Sequence, residues 1–170
     1  PFLRLANPPY ADSKARGAFL GLSTDVKRGA LFRAVLEGIA LDTRNGLDPL
    51  LVHTGLGKLN DIYAIGGTSR NRLLMQIKAN IFQQPIHVMS IEESTAHGAA
   101  VLGGKAAGVY ADVADIVHSI ERTETLVEPD PAAVGFYDEL FHSVYRQIYP
   151  ALRNVNHSIF DLQQKATHVQ

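Results

Sequence analysis

The stretch Ile65-Gly66-Gly67-Thr68-Ser69-Arg70-Asn71 separates a short apolar run from an amphipathic segment. The apolar run, Ile62 to Ile65, has the length and composition of a strand buried on both faces of a sheet. Thr68 or Ser69 is placed to cap a helix that follows the two glycines. The apolar stripe of that helix has helical spacing: Leu73, Leu74, Ile77, Ile81 and Phe82. The stretch therefore predicts a strand, a glycine-rich turn and a helix in succession.

The next segment repeats this order. A second brief strand is predicted from Ile86 to Met89, and a helix of small residues from Ser94 or Thr95 to about Ala107. The negative charges of Glu92-Glu93 are expected to stabilise the N-terminal end of this helix, which is the positive end of its dipole. Such alternation with short turns predicts parallel strands joined by right-handed crossovers. The fold class is α/β, with a β-α-β-α core.

A helix is predicted from Gly29 to Asn45, ahead of this core. Its buried face has apolar residues four apart, with two more on the neighbouring row: Leu31, Val35, Ile39, Phe32 and Leu36. Asn45-Gly46 and Pro49 leave two readings for Leu47 to Thr54, a kinked continuation or a short second helix. Residues 1–27 read as an ordered loop.

A long C-terminal helix is predicted from Asp130-Pro131, which supply a cap and a first-turn residue. Its predicted buried positions recur at intervals of three and four residues: Val134, Tyr137, Phe141, Val144, Ile148 and Leu152. The preceding residues 108–130 read as an irregular connection, and 155–170 as a flexible tail. The chain, 1–170, is expected to be a single domain.

Composition excludes several classes of function. The chain has 170 residues, 46% of them hydrophobic, with 16 Lys+Arg against 17 Asp+Glu and no Cys. The balanced charge argues against nucleic acid as a partner, and no apolar run approaches the roughly 20 residues that cross a bilayer. The absence of Cys fits a reducing compartment, so a cytoplasmic location is expected. Because the chain begins with Pro1, we expect truncation on its N-terminal side.

The two glycines are the best candidate for a ligand site. Gly66 and Gly67 let the main chain approach a ligand closely, and the helix behind them presents unpaired N–H groups to anions. The corner is thus a candidate binding site for the phosphate or ribose of a nucleotide, with Asn71 placed to hydrogen-bond a base or sugar edge. The alternative is that Gly66-Gly67 only turns the chain.

Other motifs favour structural roles. The segment Gly55-Leu56-Gly57-Lys58 lacks the Ser/Thr of a phosphate loop and reads as a turn. Asp12 and Asp42 have no neighbouring base or nucleophile in sequence, so no catalytic residue is assigned. The seven His residues share no metal-binding spacing, so no metal site is expected: His53, His87, His97, His118, His142, His157 and His168.

Three separated stretches resemble the FGGY family of carbohydrate kinases. The first includes Pro9-Tyr10, Asp12, Arg16-Gly17 and Gly21-Leu22, and the second is Arg33-Ala34-Val35-Leu36-Glu37-Gly38. The third and most specific holds Gly66-Gly67, Arg70-Asn71, Gln76 to Asn80, Thr95-Ala96, Gly98-Ala99-Ala100 and Gly108. Together they cover roughly residues 8–112.

The resemblance implies the C-terminal, nucleotide-side domain of an actin-like, ribonuclease-H-like ATPase fold. It implies ATP as the cofactor, with Mg²⁺ carried by the nucleotide. Gly66, Gly67 and Thr68 match the family's adenosine motif, and Asn71 matches a position that often contacts adenine. Gly98-Ala99-Ala100 matches a small-residue helix near the interface between the two domains.

Two departures and one absence qualify the resemblance. Thr68 stands where the family commonly has a third Gly or Ala, and His97 where Leu is usual. The family's catalytic Asp and most contacts to the sugar or polyol substrate belong to the first domain, which this chain does not contain. We therefore expect the chain to be inactive alone, and the alternatives are a non-catalytic actin-like nucleotide-binding or interaction module, or another α/β enzyme. The missing neighbouring strands leave a sheet edge at which a homo-oligomer is possible.

Overall fold

The computed structural model of the protein describes residue 2 and the ranges 5–90, 94–120 and 123–167, without the side chains of 115, 118, 119 and 167. The predicted support by Glu92-Glu93 lies outside the described residues, as does His168. The helices are α1 (Arg28–Thr54), α2 (Arg72–Phe82), α3 (Ser94–Ala106), α4 (Val113–Ser119), α5 (Pro131–Glu139) and α6 (Arg146–Thr167). The strands are β1 (Ile62–Ala64), β2 (Ile86–Ser90) and β3 (Thr123–Val127).

The strands form one sheet in the order β1-β2-β3. β1 and β2 are parallel, with Ile62 opposite Ile86, so the predicted parallel unit with α2 as its crossover is confirmed. β3 pairs antiparallel to β2, with Val127 opposite Ile86. The prediction of an irregular connection over 108–130 was wrong, because this range holds α4 and β3. β3 is mostly exposed and polar, and it forms by pairing with β2 rather than by an apolar signal of its own.

β1 lies at an edge of the described sheet. Tyr63 and Ile65 are exposed, so the prediction of a strand buried on both faces was wrong. Tyr63 instead stacks on His87 of β2, with 4.9 Å between the ring centroids. The short apolar run indicated a strand correctly, but apolar composition does not report how many neighbours a strand has.

Helix α2 forms the centre of the core. Met75, Ile77 and Ile81 are almost completely buried, and α2 contacts α1, α5 and strands β2 and β3. The predicted stripe is confirmed apart from Leu73, which is exposed. Removing this much apolar surface from water is the main stabilising contribution to such a core. The residues buried around α2 come from α1, β2, α5 and the segment after it: Leu36, Ala40, Leu41, Ile86, Tyr137 and Phe141.

Helix α1 is continuous from Arg28 to Thr54 and includes Pro49, so the continuation is the correct one of the two readings for residues 47–54. Its buried face differs from the predicted one. Leu36, with Ala40 and Leu41, is buried, whereas Val35 and Ile39 are each 38% exposed. The apolar residues of α1 surround most of the helix, and the packing partners decide which of them are covered.

Arg44 links α1 to the other two helices of the core. Its guanidinium donates to the Asp138 carboxylate at 2.9 Å and to the Ile81 carbonyl at 3.0 Å. It also lies 4.3 Å from the centroid of the Phe141 ring. The half-buried charge thus has both a carboxylate and an aromatic partner, which lowers the cost of removing it from water.

The long C-terminal helix starts as predicted. The Asp130 side chain accepts from the Ala132 N–H at 2.9 Å, and Pro131 is the first helical residue. A π-helical segment, Leu140–Tyr145, joins α5 to α6, and α6 runs to Thr167. The expectation of a flexible tail over 155–170 is therefore corrected for 155–167, which are helical.

Residues 6–16 hold α6 in place through Asp12. The Asp12 carboxylate accepts from the Tyr149 hydroxyl at 2.8 Å and pairs with His157 Nε2 at 2.7 Å. It also accepts from the backbone N–H of Lys14 at 2.9 Å. The hydrogen bonds from His157, then from the Lys14 amide and Tyr149, lower the pKa of Asp12 to about 2.

Protonation of Asp12 should therefore destabilise the protein in acid. Because the pKa is depressed in the folded state, its contribution is present above the ordinary value of 3.8 and is lost as the pH falls towards about 2. Asp12→Asn should lower the free energy of unfolding near neutral pH by about 1–3 kcal/mol. It should also flatten the pH dependence between about pH 4 and about pH 2, which urea denaturation at several pH values measures.

Glu139→Gln is the matched control, since Glu139 is exposed on α5 away from this contact. It should leave the acid limb of the stability curve in place. An equal loss of acid sensitivity in both variants would contradict the role given to Asp12.

Candidate functional site

The two glycines form a sharp corner at the end of β1. Gly66 has φ 84° and ψ −175°, a conformation that L side chains rarely adopt, so glycine is required here. The Gly66 carbonyl accepts from the Ser69 N–H at 3.1 Å and from the Ser69 hydroxyl at 2.7 Å. Gly67 begins a 3₁₀ turn, Gly67–Arg70, which leads to α2.

This corner opens onto a cleft of about 970 Å³. Gly66 and Gly67 are exposed, and a Cβ atom added at either would meet nothing within 4 Å. The glycine main chain is therefore accessible to a ligand. The wall of the cleft includes residues from α2, β2, the start of α3 and β3: Arg72, Met75, Gln76, Val88, Met89, Ser90, Ser94, Thr95, Thr125 and Val127.

The lining combines three kinds of group. Ser90, Ser94, Thr95 and Thr125 bring hydroxyls, Arg70 and Arg72 bring guanidinium groups, and Met75, Val88 and Met89 bring apolar surface. The volume of the cleft is within the range of small-molecule sites, and its lining is more polar than that of most such sites. The hydroxyl and guanidinium groups suit a ligand with oxygen acceptors.

Two of the four predicted ligand residues lie on this cleft. Gly66 and Gly67 line it, whereas Thr68, which is exposed, and Asn71, which is partly buried, are not among its lining residues. Asn71 is the N-cap residue of α2, and its Oδ1 atom accepts from the Leu74 N–H at 3.1 Å. The prediction that Thr68 or Ser69 caps α2 was therefore wrong, because the 3₁₀ turn separates them from its first turn. The ligand contacts predicted for Thr68 and Asn71 remain predictions.

Gln76 lines the cleft but was not among the predicted ligand residues, although it begins the family-like segment Gln76 to Asn80. Its amide donates to Asn80 Oδ1 at 3.0 Å and to the Glu128 carbonyl at 2.9 Å. Asn80 Oδ1 also accepts from the Asp130 N–H at 2.8 Å. These bonds attach the connection after β3 to α2 and so hold one wall of the cleft. The spacing of Gln76 and Asn80, four apart on a helix, was the available signal.

The other candidates have structural surroundings. Gly55 and Gly57 have φ 71° and 61°, which confirms the turn predicted there. Asp42 accepts from the Tyr145 hydroxyl at 3.4 Å, and Asp12 holds α6. Within the described ranges, no group of three or more His, Asp or Glu residues could hold a metal ion. No helix among the described residues is long and apolar enough to span a bilayer.

Known proteins match this chain in sequence and in structure. Residues 1–107 match the C-terminal domain of the FGGY family of carbohydrate kinases. A glycerol kinase of Limosilactobacillus reuteri is 42% identical over 104 residues, which are 61% of this chain and 21% of the relative.

Solved structures agree with the sequence match. The gluconate kinase of Lactobacillus acidophilus superimposes with a TM-score of 0.68 at 31% identity, over 85% of this chain and 28% of that one. The glycerol kinase of Plasmodium falciparum, solved with ADP, gives 0.68 at 24% identity over 85% and 29%. The second likeness concerns the fold alone.

These matches show that the chain is an α/β domain with the actin-like ATPase fold of sugar kinases. More particularly, the chain belongs to the FGGY family of carbohydrate kinases and matches its C-terminal domain. It spans between about a fifth and a third of the length of the curated relatives it matches.

Asn71 allows a test of the cap separately from any ligand contact. Asn71→Ala should lower the free energy of unfolding by about 1 kcal/mol, because the Leu74 N–H loses its acceptor. Asn71→Asp keeps a good capping oxygen and should be close to wild type in urea denaturation. Equal destabilisation by both substitutions would show that the amide nitrogen, and not the cap, stabilises this position.

Proposed function

We propose that this chain forms the nucleotide-side part of a kinase that transfers phosphate from ATP to a hydroxyl group of a sugar or polyol. One observation carries the proposal: the main chain of Gly66 and Gly67 lies open on the wall of a cleft of about 970 Å³. Membership of the FGGY family supports the reaction type.

In this proposal, the ribose and α-phosphate of ATP lie along Gly66-Gly67, where the absence of side chains permits close approach. Thr68 lies beside them at the rim. Asn71 uses Oδ1 as the helix cap, so its contact with adenine would be made by the amide nitrogen, donating to a ring nitrogen. Arg70 and Arg72 are placed at the lining to attract the negatively charged nucleotide.

The remaining parts of the reaction are assigned to partners of this chain. Mg²⁺ would arrive with the nucleotide, bound through the phosphates. The sugar or polyol that carries the acceptor hydroxyl would bind to a first domain, and that domain would also supply the aspartate that removes the hydroxyl proton. The hydroxyl oxygen attacks the γ-phosphorus, its proton passes to that aspartate, and ADP leaves.

The identity of the sugar or polyol is left open by the relatives, which are named glycerol kinase and gluconate kinase. ATP is proposed as the cofactor from membership of the FGGY family of carbohydrate kinases, because a kinase requires a phosphate donor. A cytoplasmic location and a role for Mg²⁺ remain predictions.

Substitution of Gly67 tests nucleotide binding directly. Gly67 does not need a left-handed conformation and has open space around it, so Gly67→Val should fold normally. The added side chain would occupy the place of the nucleotide, and the affinity for a non-hydrolysable ATP analogue should fall by about tenfold or more. Isothermal titration calorimetry measures the change.

Gly29→Val is the matched control, because Gly29 on α1 also has open space around a Cβ atom and does not line the cleft. Its affinity should equal that of the wild type. Wild-type affinity in Gly67→Val, with folding confirmed by circular dichroism, would remove the main support for the proposed site.

The chain alone should not phosphorylate any acceptor, since no residue in it is assigned as the base. Incubation with ATP, Mg²⁺ and a panel of ketoses, polyols and aldonates should produce no ADP above the background, as measured by a coupled assay. An intact family member in parallel reactions validates the assay. Robust turnover by the purified chain would refute the proposal that the catalytic base belongs to a separate first domain.

A further inference from the structure

Gln76 has the only side-chain carbonyl or carboxylate oxygen among the described residues that line the cleft at Gly66-Gly67. The other polar side chains in this lining are Ser and Thr hydroxyls and the guanidinium groups of Arg70 and Arg72. A guanidinium group can only donate hydrogen bonds, and a hydroxyl can rotate either to donate or to accept. A ligand group that must donate a hydrogen bond therefore has Gln76 as its one side-chain acceptor of definite polarity.

The orientation of the Gln76 amide is fixed by main-chain groups. Its Nε2 atom donates to the Glu128 carbonyl at 2.9 Å and to Asn80 Oδ1 at 3.0 Å. Asn80 Oδ1 in turn accepts from the Asp130 N–H at 2.8 Å. A main-chain carbonyl can only accept and a main-chain N–H can only donate. A flip of either amide would set two acceptors or two donors against each other, so the main chain determines both orientations.

These bonds leave one atom of the Gln76 amide available to a ligand. The amide nitrogen has two hydrogens, and both are used. The Oε1 atom accepts no hydrogen bond from the part of the chain that the structure describes. It is also accessible, because among the described residues only Asn45 has a fully buried side-chain nitrogen or oxygen without a partner. Gln76 thus offers the cleft an acceptor and no donor.

The base of a nucleotide is the ligand group that suits this part of the cleft. Gln76 lies about 6 Å along α2 from Arg72, the first residue of the helix after the glycine corner. Two of its neighbours line the cleft with apolar side chains: Met75 precedes it, and Val127 precedes Glu128, to which it donates. A purine ring suits apolar walls with one polar group to orient it. A phosphate group would set its oxygens against Oε1.

We infer that Gln76 determines the base specificity of the cleft, with Oε1 accepting a hydrogen bond from the 6-amino group of adenine; the inference rests on the proposed function. The contact differs from that of Asn71, which would donate to a ring nitrogen. Guanine and hypoxanthine carry an oxygen in place of the amino group and would set one acceptor against another. Asn80 is a positioning residue, since it is 4% exposed, does not line the cleft and holds the Gln76 amide.

Isothermal titration calorimetry of the 170-residue chain with ATP and with purine riboside triphosphate, which lacks the 6-amino group, tests the inference. The wild type should bind ATP about three- to tenfold more tightly, as expected for one hydrogen bond between neutral groups. Gln76→Met removes Oε1 but keeps the length of the side chain, so the two nucleotides should bind with equal affinity. The ratio of the two affinities is the readout, because a general loosening of the cleft would weaken both nucleotides alike.

Two substitutions of Asn80 separate positioning from stability. Asn80→Asp keeps oxygens that accept from Gln76 and Asp130, so the ratio should equal that of the wild type. Asn80→Ala removes one of the two acceptors that hold the Gln76 amide and should lower the ratio towards one, with folding confirmed by circular dichroism. Gln147→Met is the matched control for Gln76→Met, because Gln147 is exposed on α6 and does not line the cleft. Its ratio should be that of the wild type.

Four outcomes would contradict the inference. Equal affinities in the wild type would show that the amino group is not recognised, and an undiminished preference for ATP in Gln76→Met would assign its recognition to another group. A preference for ATP over 2′-deoxy-ATP that disappears in Gln76→Met, with the ratio to purine riboside triphosphate unchanged, would assign Oε1 to the ribose. Failure of the wild type to bind any of these nucleotides would contradict the proposed function itself and, with it, this inference.

Discussion

The burial of α2 is the constraint on which the rest of the structure depends. Met75, Ile77 and Ile81 are each no more than 1% exposed, and helices α1 and α5 and the sheet pack against different sides of α2. A close-packed helix cannot shift without opening cavities on several sides at once. Its first turn is therefore fixed relative to β1 and β2. The glycine corner and one wall of the cleft are attached to that turn.

The features that depend on neighbouring residues could be predicted from the sequence. The strand, the Gly66-Gly67 turn and α2 follow in the expected order, because each has a local cause. The Asp130-Pro131 start of α5 is another such case, since a cap and a first-turn proline act within one turn of helix.

The features that depend on distant partners could not be predicted. α1 has apolar residues on several sides, and only the positions of α2 and α5 decide that Leu36 is covered and Val35 is not. β3 has little apolar character and requires β2 beside it. Residues 155–167 looked like a tail because their polar contacts, such as that of His157 with Asp12, lie about 145 positions away in sequence. Long-range contacts of this kind leave no periodicity to read.

The candidate site likewise combines features that have a local cause with features that depend on distant residues. A sharp turn at Gly66-Gly67 could be predicted, because glycine is favoured where the main chain turns. The cleft in front of it could not, because β2, β3 and the start of α3 form its other walls. The positions of the Thr68 and Asn71 side chains depend on the 3₁₀ turn, which the sequence did not indicate. This turn places Asn71 at the N-cap of α2. The two bonds from Ser69 to the Gly66 carbonyl hold the corner in one conformation. A ligand that uses this main chain would therefore meet a surface already ordered by folding, and its binding would not have to order the loop.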